Sequence, residues 1–151
     1  MSRHEHGFTL IEILVVMVII GIITMSVTLS MRPDTHRQVQ DEAYRFSRVL
    51  EQAVDAAEEG DPLALVWLPG GYGFRRLGED GRWQPVEDAF FAEHAWPEGI
   101  RAEEPGKTRG SPVLLWQEGQ GAALDLHLIA GDRRLRISLN PLGRVEVEDG
   151  S

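Results

Sequence analysis

One carboxylate stands where an acid is expensive. Glu12 sits just inside the front edge of an apolar run; from Ile13 to Met31 no residue is charged and most are Ile, Val, Leu or Met. On insertion scales an acid near the middle of a bilayer costs about 2.5–3.5 kcal/mol. The chemistry that offsets such a cost is pairing with a cation in the same low-dielectric layer, where Coulomb attraction is weakly screened. Glu12 is therefore a candidate for charge pairing rather than for catalysis.

The other reactive groups are less pointed. Five histidines are present: His4, His6, His36, His94 and His127. His127 alternates with leucines and could face a cleft beside Asp125, as a membrane-anchored hydrolase would need. No G-x-S-x-G elbow, H-E-x-x-H pair or Gly-rich phosphate loop accompanies it. A histidine on the outer face of a strand reads as surface, so the chain is not expected to be an enzyme. With no cysteine, disulfides, thiolate metal sites and a cysteine nucleophile are excluded. Gly78-Glu79-Asp80-Gly81 offers only two carboxylates without a longer ladder of oxygen ligands, which reads as a solvated turn rather than a calcium site. No metal or cofactor is expected. Arg133, Arg134, Arg136 and Arg144 could form a small basic patch. Against it stand Glu146, Glu148 and Asp149, and a balance of −8 from Arg32 onward, where Lys+Arg is 14 and Asp+Glu is 22. Such a surface repels nucleic acid and anionic lipid. Trp67, Trp83, Trp96 and Trp116 read as core or interface aromatics.

The elements that must position these groups follow from periodicity. The run behind Glu12 has about the 20 residues, at ~1.5 Å each, that a helix needs to cross a bilayer. A secretory signal peptide would have a shorter apolar region followed by a small-residue cleavage site; here the small residue, Gly7, precedes the run. A plain single-span anchor is the simpler alternative. Arg3 favours a cytoplasmic amino terminus. Arg32 and Pro33 close the run.

From Asp34 to Glu59 the pattern is that of an amphipathic helix. Val39, Ala43, Phe46, Leu50, Ala53 and Ala57 recur in steps of four and three, one face of a 3.6-residue period. Gly60 and Pro62 stop it. Its polar face is mixed rather than basic, which argues against a helix lying on the membrane surface.

The period then switches to two. Strands are expected at Leu63 to Leu68, Tyr72 to Leu77 and around Trp83, with turns at Pro69-Gly70-Gly71 and at 78–81. Pro85 to Ser111 is irregular, rich in Pro and Gly, with an acidic-aromatic piece from Glu87 to Trp96. A short helix around Asp88 to Ala95 and a brief strand at Ile100 to Glu103 fit there, and the segment is a candidate partner-specific surface. Pro112 to Gln117 reads as one strand. The clearest pattern comes last. Leu124, Leu126 and Leu128, then Leu135, Ile137 and Leu139, then Val145 and Val147 alternate with polar residues, separated by turns at Gly131-Asp132 and Asn140-Pro141-Leu142-Gly143. That is an antiparallel meander with one face buried. The expected fold is α+β: a long N-terminal helix packed on an antiparallel β-domain.

Gly7-Phe8-Thr9-Leu10-Ile11-Glu12, behind a short polar leader and ahead of an apolar helix, resembles the class III leader of type IV pilins and type II secretion pseudopilins. Tyr44-Arg45-Phe46, Leu50-Glu51-Gln52-Ala53, Gly71-Tyr72-Gly73-Phe74, Trp96-Pro97-Glu98-Gly99 and Arg133-Arg134-Leu135-Arg136 with Asn140-Pro141-Leu142-Gly143-Arg144-Val145 resemble, more diffusely, the H-type minor pseudopilins of type II secretion. The resemblance implies a leader over residues 1–7, cut after Gly7 by a prepilin peptidase that then methylates the new terminus at Phe8. It implies that Glu12, the fifth mature residue, is the assembly acid. The implied organisation is a transmembrane helix at 8–31, its amphipathic continuation at 32–60 and a periplasmic pilin-like β-domain at 61–151, held in the inner membrane. The implied partners are the peptidase, the major and other minor pseudopilins, and secreted exoproteins. The implied role is structural: a subunit near the pseudopilus tip, linking the tip complex to the major pseudopilin and supporting export of folded proteins. A FimT-like minor pilin of a type IV pilus, contacting DNA through basic C-terminal residues, shares the architecture and is the alternative.

Overall fold

A computed structural model describes residues 10–30, 35–103 and 111–150, with the side chains of the first stretch described as far as Met25. The chain divides into two compact units, residues 1–34 and 35–151. Among its described residues the first holds one helix, α1 (Leu10–Ser30). Arg32 and Pro33, which close the apolar run, and the expected leader with Gly7 and Phe8 lie outside the described residues.

The second unit opens with α2 (Thr35–Glu58), which ends one residue before the Glu59 expected from periodicity; Asp34, the expected start, lies outside the described residues. The whole predicted stripe is buried: Val39, Ala43, Phe46, Leu50 and Ala53 are fully enclosed, and Ala57 nearly so. Val49 and Val54 widen the stripe, as a helix facing a sheet requires. Gly60, at φ +110°, ends the helix in the conformation that glycine adopts at least cost.

Eleven strands follow among the described residues: β1 (Leu63–Leu68), β2 (Gly71–Leu77), β3 (Trp83–Pro85), β4 (His94–Ala95), β5 (Ile100–Glu103), β6 (Val113–Leu114), β7 (Trp116–Gln117), β8 (Gln120–Gly121), β9 (Leu124–Ala130), β10 (Arg133–Leu139) and β11 (Val145–Asp149). One sheet runs β3-β2-β1-β6, with β4 also on β2; a second runs β11-β10-β9-β5; β7 and β8 form a small hairpin. All pairings are antiparallel. The predicted meander forms in register, with Ile137 opposite both Leu126 and Val147. Leu124, Leu126, Leu128, Leu135, Ile137 and Leu139 point into the core, while Asp125, Arg134, Arg136 and Glu146 do not. This is the period of two made physical. α2 packs against strands of both sheets, so the core is a layer of helix on antiparallel sheet, the expected α+β class.

Two expectations need correction. The strand expected over Pro112 to Gln117 is broken at Leu115. There the chain leaves β1, after Leu115 N–H donates to the Leu63 carbonyl at 3.0 Å, and enters the β7–β8 hairpin. Glu118 (φ 53°) and Gly119 (φ 78°) supply the two left-handed residues of its tight turn. The short helix expected around Asp88 to Ala95 shrinks to a single 3₁₀ turn, Ala89–Phe91, and His94–Ala95 is extended instead.

Candidate assembly site

α1 is apolar on every side. Leu10, Ile11, Ile13, Leu14, Val15, Val16, Met17, Val18, Ile19, Ile20, Ile22, Ile23 and Met25 are all exposed. A helix hydrophobic all round belongs inside an apolar medium. Thr24 already satisfies its hydroxyl internally, donating to the Ile20 carbonyl at 2.8 Å, which makes its presence in such a medium cheap. Glu12 is the acid of the first turn, where the helix dipole favours a negative charge. Among the described residues no helix is long and apolar enough to cross a membrane; the spanning reading of the run to Met31 therefore rests on the sequence. The structure places Glu12 on this helix; the cleavage pair Gly7-Phe8 lies outside the described residues.

The β-domain answers the other candidates. Asp125 receives two hydrogen bonds from Arg136, from Nε at 3.0 Å and from Nη2 at 2.7 Å. That bidentate contact, first of all, holds its carboxyl below the usual value. Asp125 is thus committed to an arginine and does not orient His127 as a base. His127 lies half-buried on the same outer face of β9. It does not line the 280 Å³ groove formed by Trp67, Leu68, Trp96, Ile100 and Leu126 with their neighbours. The cleft proposed for it is not found there.

The arginine patch is likewise divided. Arg133 pairs with Asp149, and Arg136 reaches Glu148 at 3.8 Å as well as Asp125. The β10–β11 register sets Arg136 opposite Glu148 and Ser138 opposite Glu146, so the acids of the last strand lie beside the arginines by construction. Only Arg134 and Arg144 of the four remain without a carboxylate partner among the described residues. Among the described residues no cluster of three or more His, Asp or Glu could hold a metal ion.

One cluster was not visible from sequence spacing. His94 Nε2 meets Glu42 Oε2 at 2.8 Å, with both side chains largely buried. Since a carboxylate accepts, Nε2 carries the proton. The His94 ring lies 5.4 Å from that of Tyr72, and Trp96 lies 5.0 Å from Tyr72. Burial pushes the Tyr72 hydroxyl up to about 12. Phe46 closes the group from α2, 4.7 Å from Tyr72, 5.7 Å from Trp96 and 6.0 Å from Trp67. This aromatic knot fastens α2 to the acidic-aromatic piece 87–96, which is part of the core structure rather than a loose insertion. In the sequence, Phe46, Tyr72 and Trp96 each fall within the pieces noted above.

Comparison with known proteins points one way. Residues 2–28 match the model of the prokaryotic N-terminal methylation motif. The chain is 37% identical over 92 residues to the type II secretion system protein H of Aeromonas hydrophila, an alignment covering 57% of this chain and 49% of that protein. It thus spans about half the length of that relative. Its fold is similar to that of the minor pseudopilin EpsH from the type 2 secretion system of Vibrio cholerae, with a TM-score of 0.62 at 17% identity, covering 74% of this chain and 97% of that one. The expected pilin-like α+β fold is therefore present. The matched motif is one of N-terminal methylation and the sequence relative is a type II secretion protein H; neither favours a FimT-like pilin.

Proposed function

We propose that this chain is a minor pseudopilin of a type II secretion pseudopilus, a structural subunit near the tip rather than an enzyme. The observation that carries the reading is a helix apolar on all sides, with one acid in its first turn, inside a methylation motif and ahead of a pseudopilin-like β-domain. In this reading a prepilin peptidase cuts between Gly7 and Phe8 and methylates Phe8. The helix holds the subunit in the inner membrane, with residues from Arg32 onward in the periplasm. The subunit joins the tip complex to the major pseudopilin.

The chemistry of Glu12 follows from this. The mature amino terminus is a cation four residues before the carboxylate. A subunit entering the filament offers its own amine to a Glu12 already in place, or the reverse. Pairing neutralises two charges in a low-dielectric layer and sets the axial register of the helices. Glu12→Ala should be cleaved and inserted normally yet join its neighbours poorly and lower export; Glu12→Asp, one methylene shorter, should be intermediate. Crosslinking to neighbours alongside a secretion assay is the test. Unchanged crosslinks and unchanged export in Glu12→Ala would make the acid a passenger.

A further inference from the structure

We propose that the solvent face of α2 around Arg45 and Arg48, completed by Phe90, docks an acidic segment of a neighbouring, different subunit: a stretch with a carboxylate beside an apolar side chain. The inference rests on the filament reading above and names one of its contacts.

The face is built at helical spacing. Asp41, Tyr44, Arg45, Arg48 and Gln52 follow one another in steps of three, one, three and four, and with Val49, Ala89 and Phe90 they line a hollow of about 470 Å³. Its apolar part is held in place. Asp88 accepts a hydrogen bond from the Phe90 N–H at 2.8 Å and starts the 3₁₀ turn. Within that turn Phe91 goes inward, edge-on to Phe74 at 5.5 Å, while Phe90 stays 44% exposed, braced edge-on against Phe91 at 5.4 Å. Tyr44, across the hollow, is 46% exposed. Two large aromatic residues are thus presented to solvent from rigid elements, the arrangement that anchors protein interfaces.

Charge selects the partner. Arg75, Arg76, Arg101, Arg133 and Arg136 are each paired with a carboxylate. Arg45 and Arg48 have no such ion pair among the described residues. Asp41 is the one acid lining the hollow, so its lining carries an excess of one positive charge on a chain of net charge −9. A phosphate-covered surface, whether nucleic acid or lipid, meets repulsion from the rest of this chain. A second copy presenting the same face would set arginine against arginine. A carboxylate flanked by apolar groups satisfies the arginines and covers the aromatic rings.

The test uses the full chain in cells assembling the filament. The photo-crosslinker p-benzoylphenylalanine replaces Phe90, and in a second strain Val16 of α1. The proposal expects Phe90 adducts mapping to an acidic segment of another pilin-like subunit. It expects the Arg45→Glu/Arg48→Glu double variant to lose about tenfold of that adduct, equivalent to about 1.4 kcal/mol. It expects Arg45→Lys/Arg48→Lys to retain most of it, and Lys in place of the mapped acid to restore the adduct of the Glu variant. Adduct unchanged by charge reversal, or Phe90 linked to lipid, nucleic acid or a second copy, overturns it. If Val16 links to neighbouring subunits and Phe90 to none, this inference falls while the filament reading stands. If neither links, both fall.

Discussion

Phe46 is the residue on which the packing of α2 most depends. It is completely buried, and its ring meets Tyr72 edge-on at 4.7 Å and 70°, Trp96 at 5.7 Å and Trp67 at 6.0 Å. Truncation to alanine removes the transfer energy of the ring and leaves a cavity between rigid aromatic neighbours that cannot collapse into it. A cost of about 3–5 kcal/mol is expected. Of this, the edge-to-face contact with Tyr72 accounts for about 0.5–1.5 kcal/mol beyond area burial. Urea unfolding of residues 35–151, the compact unit, measures the total. The double cycle of Phe46→Ala and Tyr72→Ala measures the coupling. With roughly 4 °C of midpoint lost per kcal/mol for a unit of this size, Phe46→Ala should melt roughly 12–20 °C below the parent. Phe46→Asp, which adds an unpaired buried charge, should be lower still. A loss under about 1 kcal/mol for Phe46→Ala would refute the claim that α2 is fastened through this ring.

Two further outcomes follow from the same knot. A side chain on Gly71 would collide with the His94 carbonyl oxygen, so Gly71→Ala should detach β4 from β2; faster exchange of the Trp96 amide, which donates to the Gly70 carbonyl at 2.8 Å, and a shifted His94 ring resonance would register it, and native exchange would contradict it. The Tyr72 hydroxyl, raised by burial to about 12 from 10.0, contributes stability that is fully present below pH 10 and is lost as pH rises through about 12. In a Tyr44→Phe background the phenolate absorbance should emerge only near that upper limit, together with unfolding, and titration at pH 10 in the folded state would contradict it.

The parts of the fold legible from sequence were those in which neighbours in space are neighbours in sequence. The Val39 to Ala57 stripe and the β9–β10–β11 meander carry their own periods, and their turns are short. β5 beside β9, with Ile100 opposite Ala130, and β6 beside β1, with Val113 opposite Leu65, join segments far apart in the chain. A brief strand such as Ile100–Glu103 says only that it is extended, not where it pairs. The same holds for Glu42 and His94, whose separation of 52 residues leaves no spacing to read. The break at Leu115 leaves no trace in polarity because Val113 to Trp116 is apolar throughout; only the Glu118-Gly119 pair marks the hairpin. At the candidate assembly site, Glu12 is conspicuous because an acid is costly in an apolar run. The hollow beside Phe90 was not, because only the capped turn decides that Phe91 faces inward and Phe90 outward.

The central claim is that the chain is processed and assembled as a pseudopilin. Its most direct test is mass spectrometry of the amino terminus of the protein recovered from membranes of cells with an active prepilin peptidase. The mature chain should begin with N-methylated Phe8, and Gly7→Val should leave full-length precursor, because a side chain there blocks close approach of the peptidase to the backbone. A wild-type chain still beginning at Met1 in those cells would contradict it.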